Sequence, residues 1–258
     1  MISKRGGKIV AIIQARMSSS RLPGKVMAEI CGKPMLYHVV KRTGRSKMID
    51  LACVATSDHC DDDIIESFCK GKGIPCFRGS LDDVLDRYCQ AASHFGASTI
   101  VRLTADCPLL DPDIIARVIK KFSEGSFDYV SNVMEYTYPD GLDTEVFSFG
   151  ALERAWREAR LKSEREHVTP YIRNHPEIFR LANVSYGENL SHFRWTVDQP
   201  QDLDFVRSVY ERLGSMYFDM TDVLKLLKQN PDLSSKNAGI KSNEGYLKSL
   251  REDYIVTK

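Results

Sequence analysis

The stretch IVAIIQARMSSSRLPGK (9–25) decides the fold, because a core strand and a basic loop follow one another in it. Residues 9–13 are apolar and largely β-branched, a pattern that indicates a buried strand. Three serines, a Pro-Gly pair and the cations Arg16, Arg21 and Lys25 come directly after them. Cationic side chains and the backbone N–H groups of a Ser/Gly-rich turn can surround an anion, so this stretch predicts an anion site at a strand end.

Strand-like and helix-like segments alternate through the first half of the chain. Apolar, β-branched runs predict strands at 8–13, 51–56 and 99–104. Apolar residues at helical spacing predict helices over 34–46, 61–73, 81–96 and 111–122. Such alternation predicts an α/β fold with a doubly wound, Rossmann-like and mostly parallel sheet. Ligands bind such sheets at the carboxyl ends of the strands, which is where the basic loop begins.

The second half of the chain is less regular. An acidic, glycine-containing loop is predicted over 135–148, between strands at 128–133 and 179–184. Helical patterns cover 150–161, 164–174 and the residues after Pro200. We predict one main domain over residues 1–214 and a C-terminal helical extension and tail over residues 215–258.

Composition narrows the class of protein. The chain has 258 residues, with 36 basic and 35 acidic side chains, and this balance gives no reason to expect a nucleic-acid or membrane-surface binder. No stretch approaches the ~20 apolar residues of a membrane span, and the basic N-terminus does not resemble a signal peptide. Seven cysteines without a C-x-x-C pair indicate reduced, structural thiols. We therefore expect a cytoplasmic protein.

Known phosphate-binding motifs do not explain the basic loop. The Walker pattern G-x-x-x-x-G-K-[ST] is absent from it, and so is the dinucleotide fingerprint G-x-G-x-x-G. On composition alone, a solvated basic surface loop is as good an explanation as an anion site.

The order of residues in the loop resembles the nucleotide-sugar cytidylyltransferases, whose first strand leads into [Q/P]-A-R-x-x-S-x-R-L-P-G-K. The resemblance continues through ICGKPMLYHVVKR (30–42) and VATSD (54–58). It implies a nucleotidyltransferase fold of the nucleotide-diphospho-sugar transferase type. It also implies that Arg16 and Lys25 are catalytic, and that the nucleotide is bound by Gln14, Ala15, Arg16, Ser19, Arg21 and Lys25.

Two acids match further motifs of the same family. Asp106, in VRLTADCPLLDP, resembles the Asp of G-D-x-P, and Asp198, in WTVDQPQDLD, resembles the Asp of V-D-T-P-E-D-L. The resemblance implies that both hold Mg²⁺ and that Asp106 is also catalytic. Helix capping is the alternative for both, because a proline and a helical pattern follow each of them.

The segment FRGSLDDVLDRY (77–88) lies where the family carries G-[ST]-[ED]-R. Ser80 and Arg87 are therefore expected to contact the nucleotide, with Arg78 and Asp83 as further candidates. This chain departs from the pattern, because no arginine follows Gly79-Ser80 directly. Arg102 is expected either beside the site or paired with an acid.

The acceptor pocket is expected in the second half. YPDGLDTEVFS (138–148) and SEREHVTPYIR (163–173) resemble segments of the spore coat polysaccharide subgroup of these enzymes. The expected acceptor-binding residues are Asp143, Glu145 and His167, with Asp140 and Glu166 as further candidates. Arg165 or Arg173 would face the carboxylate of an acidic acceptor.

The resemblance predicts an Mg²⁺-dependent cytidylyltransferase. It would transfer CMP from CTP to a sugar or sugar-acid hydroxyl, release pyrophosphate and serve surface polysaccharide synthesis, as a homodimer without nucleic-acid or membrane partners. The alternatives are a nucleotide-sugar-dependent glycosyltransferase, cytidylyl transfer to a non-sugar acceptor such as a phosphonate, and a non-catalytic nucleotide-binding module.

Overall fold

A seven-stranded sheet runs through the computed structural model, which describes residues 7–240 and 244–256. In spatial order the strands are β5 (Cys76–Gly79), β4 (Leu51–Ser57), β1 (Lys8–Gln14), β6 (Ala97–Thr104), β8 (Glu145–Ser148), β7 (Tyr129–Ser131) and β9 (Leu181–Asn183). The first four are parallel, as are β7 and β9, whereas β8 is antiparallel to both of its neighbours. A small hairpin joins β2 (Glu29–Ile30) and β3 (Lys33–Pro34). The predicted α/β, mostly parallel sheet is confirmed.

Helices cover both faces of this sheet. They are α1 (Met35–Thr43), α2 (Asp63–Lys72), α3 (Val84–His94), α4 (Pro112–Glu124), α5 (Phe149–Glu158), α6 (Lys162–His167), α7 (Pro170–Asn174), α8 (Pro200–Leu213), α9 (Met220–Gln229), α10 (Pro231–Ser235) and α11 (Glu244–Arg251). Within the described ranges, no helix combines the length and the apolar character that a membrane crossing requires.

The alternation of side chains along β1 explains why its sequence is continuously apolar. Val10 and Ile12 pack into the core cluster that contains α3 and α5, whereas Ala11 and Ile13 pack into the one that contains α1 and α4. A strand covered on both faces needs apolar residues at every position. A third cluster joins α8, α9 and α10 to Trp195. The predicted domain boundary at residue 214 stays a prediction.

The order of the strands fixes where a ligand can bind. From β1 the chain adds β4 and β5 on one side of β1, and it then crosses over to add β6 on the other side. Gln14, the last residue of β1, pairs with Ala55 of β4 and with Thr104 of β6. Such a switch point opens a crevice at the carboxyl ends of the strands, and here it lies between β1 and β6.

Two predictions about the second half are wrong in detail. The loop predicted over 135–148 ends in strand β8, because Val146 and Phe147 are fully buried on opposite faces of the sheet. The helix predicted over 164–174 is interrupted at Val168, whose φ of +72° ends α6. Pro170 then begins α7. A β-branched residue in the left-handed region is strained, and such strain is found most often near functional sites.

Candidate active site

The basic loop leaves β1 at Gln14 and closes on itself before a short 3-10 helix, Lys25–Met27. The carbonyl of Met17 accepts hydrogen bonds from the backbone N–H groups of Ser19 and Gly24, both at 2.9 Å. Gly24 has a φ of +72°, a conformation that glycine adopts without strain. The Pro-Gly pair therefore turns the chain back to the edge of the sheet, where Lys25 begins the short helix.

A buried carboxylate, Asp62, anchors this loop. It accepts a hydrogen bond from the backbone N–H of Met17 at 2.7 Å and two more from the backbone and hydroxyl of Ser57. Burial raises the pKa of Asp62, but the hydrogen bonds from Ser57 and Met17 outweigh it and hold that pKa below its usual value. Sequence reasoning missed this residue, because the acidic run at 61–63 indicated only the start of a helix.

The two predicted metal-binding acids are brought together by the segment that precedes α8. Its Trp195 donates a backbone hydrogen bond to the carbonyl of Asp140 at 2.6 Å, and its Val197 donates one to the carbonyl of Asp106 at 2.8 Å. Asp198 is the next residue along the chain, so it lies beside Asp106 although the two are far apart in the sequence.

Gly141 permits this close approach. It has a φ of +109°, and a Cβ at that position would lie 2.5 Å from the backbone nitrogen of Thr196. Any larger residue would push the segment that carries Asp198 away from the end of β6. The Asp-Gly pair of the sequence is therefore a packing requirement as well as a turn signal.

The ammonium of Lys25 occupies the centre of the acidic group. Its Nζ lies 2.7 Å from Oδ2 of Asp106, 2.8 Å from Oδ1 of Asp198 and 2.8 Å from the carbonyl of Val197. Burial alone would lower the pKa of Lys25, but the two carboxylates outweigh it and raise that pKa. The same contacts lower the pKa of both Asp106 and Asp198 against the effect of burial. All three groups are therefore charged at neutral pH.

Two arginines complete the ring of charges around Asp198. Arg21 lies 2.6 Å from Oδ1 of Asp198, and Arg194 lies 2.9 Å from Oδ2. Arg194 is buried and also pairs with Asp140 at 3.2 Å and with Asp202 at 2.9 Å. Arg194 was not predicted from the sequence, because only the fold brings Asp140, Asp198 and Asp202 together around its guanidinium.

A cavity of about 360 Å³ opens above this cluster. Most of the predicted nucleotide residues line it, and they do so together with the two predicted metal-binding acids. They are Gln14, Ala15, Arg16, Ser19, Arg21, Lys25, Arg87, Asp106 and Asp198. Lys162 and Lys248 add two cations that sequence reasoning missed. The cavity is therefore predominantly basic around an acidic centre, a charge pattern suited to a polyphosphate with a divalent cation.

Several predicted residues do not line this cavity. The Ser80 hydroxyl accepts a hydrogen bond from the backbone N–H of Asp83 at 3.0 Å, and the Ser80 carbonyl accepts one from Arg87. Asp83 caps α3 and pairs with the Nε of Arg165 at 3.0 Å. Arg78 pairs with acids of α2. Ser80, Asp83 and Arg78 therefore bond to other protein groups and line neither cavity.

A second cavity, of about 750 Å³, adjoins the first one. The two share seven lining residues: Gln14, Arg21, Thr104, Asp106, His167, Asp198 and Gly245. The predicted acceptor residues Asp143 and Glu145 line the second cavity, together with Arg173. Nε of Arg173 is buried and has no hydrogen-bond partner in the part of the chain that the structure describes.

Glu145 is held by three neighbours. It forms an ion pair with Arg102, and it accepts hydrogen bonds from the hydroxyls of Tyr129 and Thr169, both at 2.6 Å. Burial raises the pKa of Glu145, but Arg102 and Arg173 outweigh it and lower that pKa. Glu145 therefore stays ionised, and its hydrogen bonds fix the wall of the second cavity.

Asp143 behaves in the opposite way. Burial, together with the nearby charges of Asp140 and Glu145, raises the pKa of Asp143 to about 8. The Asp143 carboxyl is therefore largely protonated at neutral pH, and it can donate a hydrogen bond to a ligand oxygen. This cavity combines the neutral acid Asp143 with ionised acids such as Glu145 and with cations such as Arg173, and such a mixture suits a ligand that carries several hydroxyl groups.

His167 lies where the two cavities meet, at the end of α6. Its Nε2 lies 2.9 Å from the hydroxyl oxygen of Ser249 in α11. Burial lowers the pKa of His167 to about 4, and the nearby Arg102 and Arg173 act in the same direction against the charge of Glu166. The imidazole is therefore neutral at physiological pH.

Comparison with known proteins agrees with this geometry. A family model described as cytidylyltransferase matches residues 10–242, which is most of the chain. The chain belongs to the cytidylyltransferase family. Among relatives of this family, it is 35% identical to the spore coat polysaccharide biosynthesis protein SpsF of Bacillus subtilis, over 88% of this chain and 97% of SpsF. It is also similar to the structure of a cytidylyltransferase from Leptospira borgpetersenii, with a TM-score of 0.87, 32% identity and coverage of 92% and 100% of the two chains.

The family resemblance drawn from the sequence is thus confirmed, and with it the assignment as a CTP-dependent nucleotidyltransferase. The first half of the chain carries a further similarity. It is 41% identical to 3-deoxy-manno-octulosonate cytidylyltransferase of Geobacter sulfurreducens, over 45% of this chain and 46% of that protein. The match covers less than half of either protein, so it does not assign the acceptor of the Geobacter enzyme to this chain.

Proposed function

We propose that this cytidylyltransferase transfers CMP from CTP to a hydroxyl of a sugar or sugar acid and releases pyrophosphate, with Mg²⁺ as cofactor. The observation that carries the proposal is the meeting of Arg21, Lys25, Asp106 and Asp198 at the carboxyl ends of β1 and β6. Cations alone would suit many anions. Cations that surround two ionised carboxylates suit a metal-bound polyphosphate.

The carboxylates fit a magnesium ion in kind and in position. Oδ2 of Asp106 and Oδ1 of Asp198 already lie within 2.8 Å of one shared cationic atom, the Nζ of Lys25. Mg²⁺ prefers hard oxygen ligands and commonly takes one or two carboxylates, with phosphate oxygens and water completing its shell. Bound there, Mg²⁺ would neutralise phosphate charge and polarise the phosphoryl group.

The protein side chains would orient the substrates and balance charge. In the proposed reaction the acceptor oxygen forms a bond to the α-phosphorus while the bond from that phosphorus to the β-phosphate oxygen breaks, and the hydroxyl proton is released. Negative charge develops on the departing pyrophosphate. Arg16, Arg21 and Lys162 line the cavity where that charge would lie and can stabilise it. Such positioning supplies most of the catalysis in phosphoryl transfer.

The second cavity is proposed to hold the acceptor. Asp143 and His167 offer hydrogen bonds to hydroxyl groups there, and the Arg173 guanidinium can bind a carboxylate. Arg165, the other candidate for that role, is buried against Asp83. Because SpsF is named for spore coat polysaccharide synthesis, we propose that the product serves a surface polysaccharide. A homodimer stays a prediction that light scattering would test.

Pyrophosphate release tests the proposal. The protein is incubated with Mg²⁺, one nucleoside triphosphate at a time and a panel of sugars, sugar acids and phosphonates. We expect release with CTP and a sugar-like acceptor, and its loss in both Arg16→Ala and Asp106→Asn. Equal release with all four triphosphates, or release that survives Asp106→Asn, would contradict the proposal. Release with a phosphonate alone would move the acceptor to the non-sugar class.

A further inference from the structure

The C-terminal helix α11 lies across the site, and its far end is tied to α6. The Asp253 carboxylate accepts hydrogen bonds from the backbone N–H and the hydroxyl of Ser163, at 2.9 and 2.6 Å. The backbone N–H of Lys162 donates to the carbonyl of Tyr254 at 2.9 Å, and that of Val256 donates to the carbonyl of Arg160 at 2.8 Å. These contacts hold the end of α11 beside the helix that carries His167.

Two side chains of α11 contact His167 directly. The Tyr246 ring packs edge-on against the imidazole, with the ring centroids 5.0 Å apart. The hydroxyl oxygen of Ser249 lies 2.9 Å from Nε2 of His167 and 3.0 Å from Oε2 of Glu166. The Ser249 hydroxyl has one proton and two acceptors for it, the Glu166 carboxylate and the Gly245 carbonyl at 3.1 Å. We therefore assign it as the acceptor from the imidazole, which places the proton of the neutral ring on Nε2 and leaves Nδ1 as an acceptor.

Tyr246 also reaches the cation of the second cavity. The Arg173 guanidinium lies 5.7 Å from the centre of the Tyr246 ring. Residues 244–247 line the second cavity, and Gly245, Lys248 and Ser249 line the first one. The inner face of α11 is therefore a shared wall of both cavities. Its Leu250 is 45% exposed and lines neither.

The family match gives no role to this helix, since it ends at residue 242, before α11 begins. We propose that α11 forms the wall of the acceptor site, where Tyr246 determines acceptor fit and Ser249 positions His167. This inference rests on the proposed function for the reaction itself. It adds α11, with Tyr246 and Ser249, to the elements that form the acceptor site.

The packing gives each residue a distinct effect. The Tyr246 ring shields the imidazole from water and places an apolar face next to Arg173, so it limits the shape of any ligand in that corner. Ser249 is 8% exposed. Its hydroxyl connects His167 to Glu166, and a carboxylate oxygen of Glu166 lies 3.9 Å from the guanidinium of Arg16 in the basic loop. The charged groups that face the imidazole are Glu166, Arg102, Arg173 and Arg16.

The first test needs no acceptor. In the full-length protein, the ring of His167 is titrated by NMR in Tyr246→Ala, Tyr246→Phe and Leu250→Ala. Loss of the Tyr246 ring admits water, so we expect the His167 pKa to rise from about 4 by about one unit or more in Tyr246→Ala. Tyr246→Phe keeps the ring, and Leu250→Ala changes only the outer face, so both are expected to match the unaltered protein. An unchanged pKa in Tyr246→Ala would overturn the proposal.

Ser249 is tested by the protonation of the same ring. Ser249→Ala removes the partner of Nε2, so we expect ¹⁵N spectra to show a shift from the Nε2–H form toward a mixture of tautomers. Ser249→Thr retains a hydroxyl and is expected to restore the single form. A ring that keeps its Nε2–H form in Ser249→Ala would show that Ser249 does not position His167.

Nucleotide binding and turnover separate the acceptor wall from the nucleotide pocket. With CTP alone as the probe, calorimetry is expected to give a Kd within twofold of the unaltered protein for Tyr246→Ala. A loss of CTP affinity as large as that of Arg16→Ala would overturn the assignment to the acceptor. With the acceptor that supports pyrophosphate release, Tyr246→Ala is expected to raise the acceptor KM about tenfold or more at an unchanged CTP KM. If no acceptor supports release, the proposed function fails while the titrations still decide the role of α11.

Discussion

The ammonium of Lys25 donates a hydrogen bond to Oδ2 of Asp106 at 2.7 Å, and this contact joins the basic loop after β1 to the end of β6. Asp198 binds the same ammonium. Lys25 thus neutralises the two carboxylates that we propose as magnesium ligands. A metal ion between these acids would compete with Lys25 for them.

Lys25→Met is therefore expected to lower the stability of the folded protein in the absence of metal. It is also expected to make that stability depend more strongly on Mg²⁺. Removing one partner of a buried ion pair costs roughly 3–5 kcal/mol, because the remaining charge is uncompensated. Thermal unfolding with and without Mg²⁺ measures both effects. We expect a larger rise in Tm on adding Mg²⁺ to Lys25→Met than to the unaltered protein, with Lys47→Met, at an exposed position, as the control. Equal rises in both would show that Lys25 and the metal do not share the acids.

Asp62→Asn is expected to weaken CTP binding although Asp62 lines neither cavity. The two carboxylate oxygens accept from Met17 and from Ser57, and Asn replaces one of these oxygens by an NH₂ donor, so one of the two partners loses its acceptor. A hydrogen bond to a charged group contributes about 1.5–3 kcal/mol, and part of this loss is expected to disorder the loop. Calorimetric titration with CTP gives the measurement. Asp61→Asn, next to it and exposed, is the matched control. Unchanged CTP affinity in Asp62→Asn would mean that the loop keeps its shape without this anchor.

Asp143 makes stability depend on pH in a defined direction. Its pKa of about 8 in the folded protein lies above the ordinary value of 3.8, so the folded state holds a proton that the unfolded chain releases. The stabilisation is complete below about pH 4, and it is lost as the pH rises to about 8. Asp143→Asn cannot ionise, so its Tm relative to the unaltered protein is expected to rise between pH 5 and pH 8. A constant difference over that range would contradict the raised pKa.

Glu145→Gln is expected to destabilise the protein, because it leaves Arg102 buried beside a neutral partner. Denaturant unfolding should show a loss of roughly 3–5 kcal/mol. Adding Arg102→Met to Glu145→Gln removes the unpaired cation and should recover part of that loss. If the double variant is as unstable as the sum of the two single variants, the ion pair is not the cause.

The parts of the site that follow directly from strand ends could be predicted from the sequence. Arg16, Arg21 and Lys25 follow β1, and Asp106 follows β6, so the rule that ligands bind at the carboxyl ends of parallel strands places them together. The family resemblance added Asp198. These residues do line one cavity in the structure.

The residues that sequence reasoning missed depend on contacts between distant segments. Arg194 and Asp140 are 54 positions apart, and Ser249 is 82 positions from His167. Strand β8 was hidden because its sequence, EVFS, is short and starts with a glutamate, which is tolerated in the core because Arg102, Tyr129 and Thr169 bind its carboxylate. Contacts between distant residues leave no local pattern in the sequence, whereas a turn such as Pro23-Gly24 is local and could be predicted from it.

The transfer of the α-phosphate of CTP tests the central claim most directly. The protein is incubated with Mg²⁺, CTP labelled at the α-phosphate and the acceptor that supports pyrophosphate release, beside a sample of Asp106→Asn. We predict that the label joins the acceptor in one-to-one proportion with unlabelled pyrophosphate, and that Asp106→Asn abolishes both products. Label found only in free CMP or CDP, with no labelled acceptor, would contradict cytidylyl transfer.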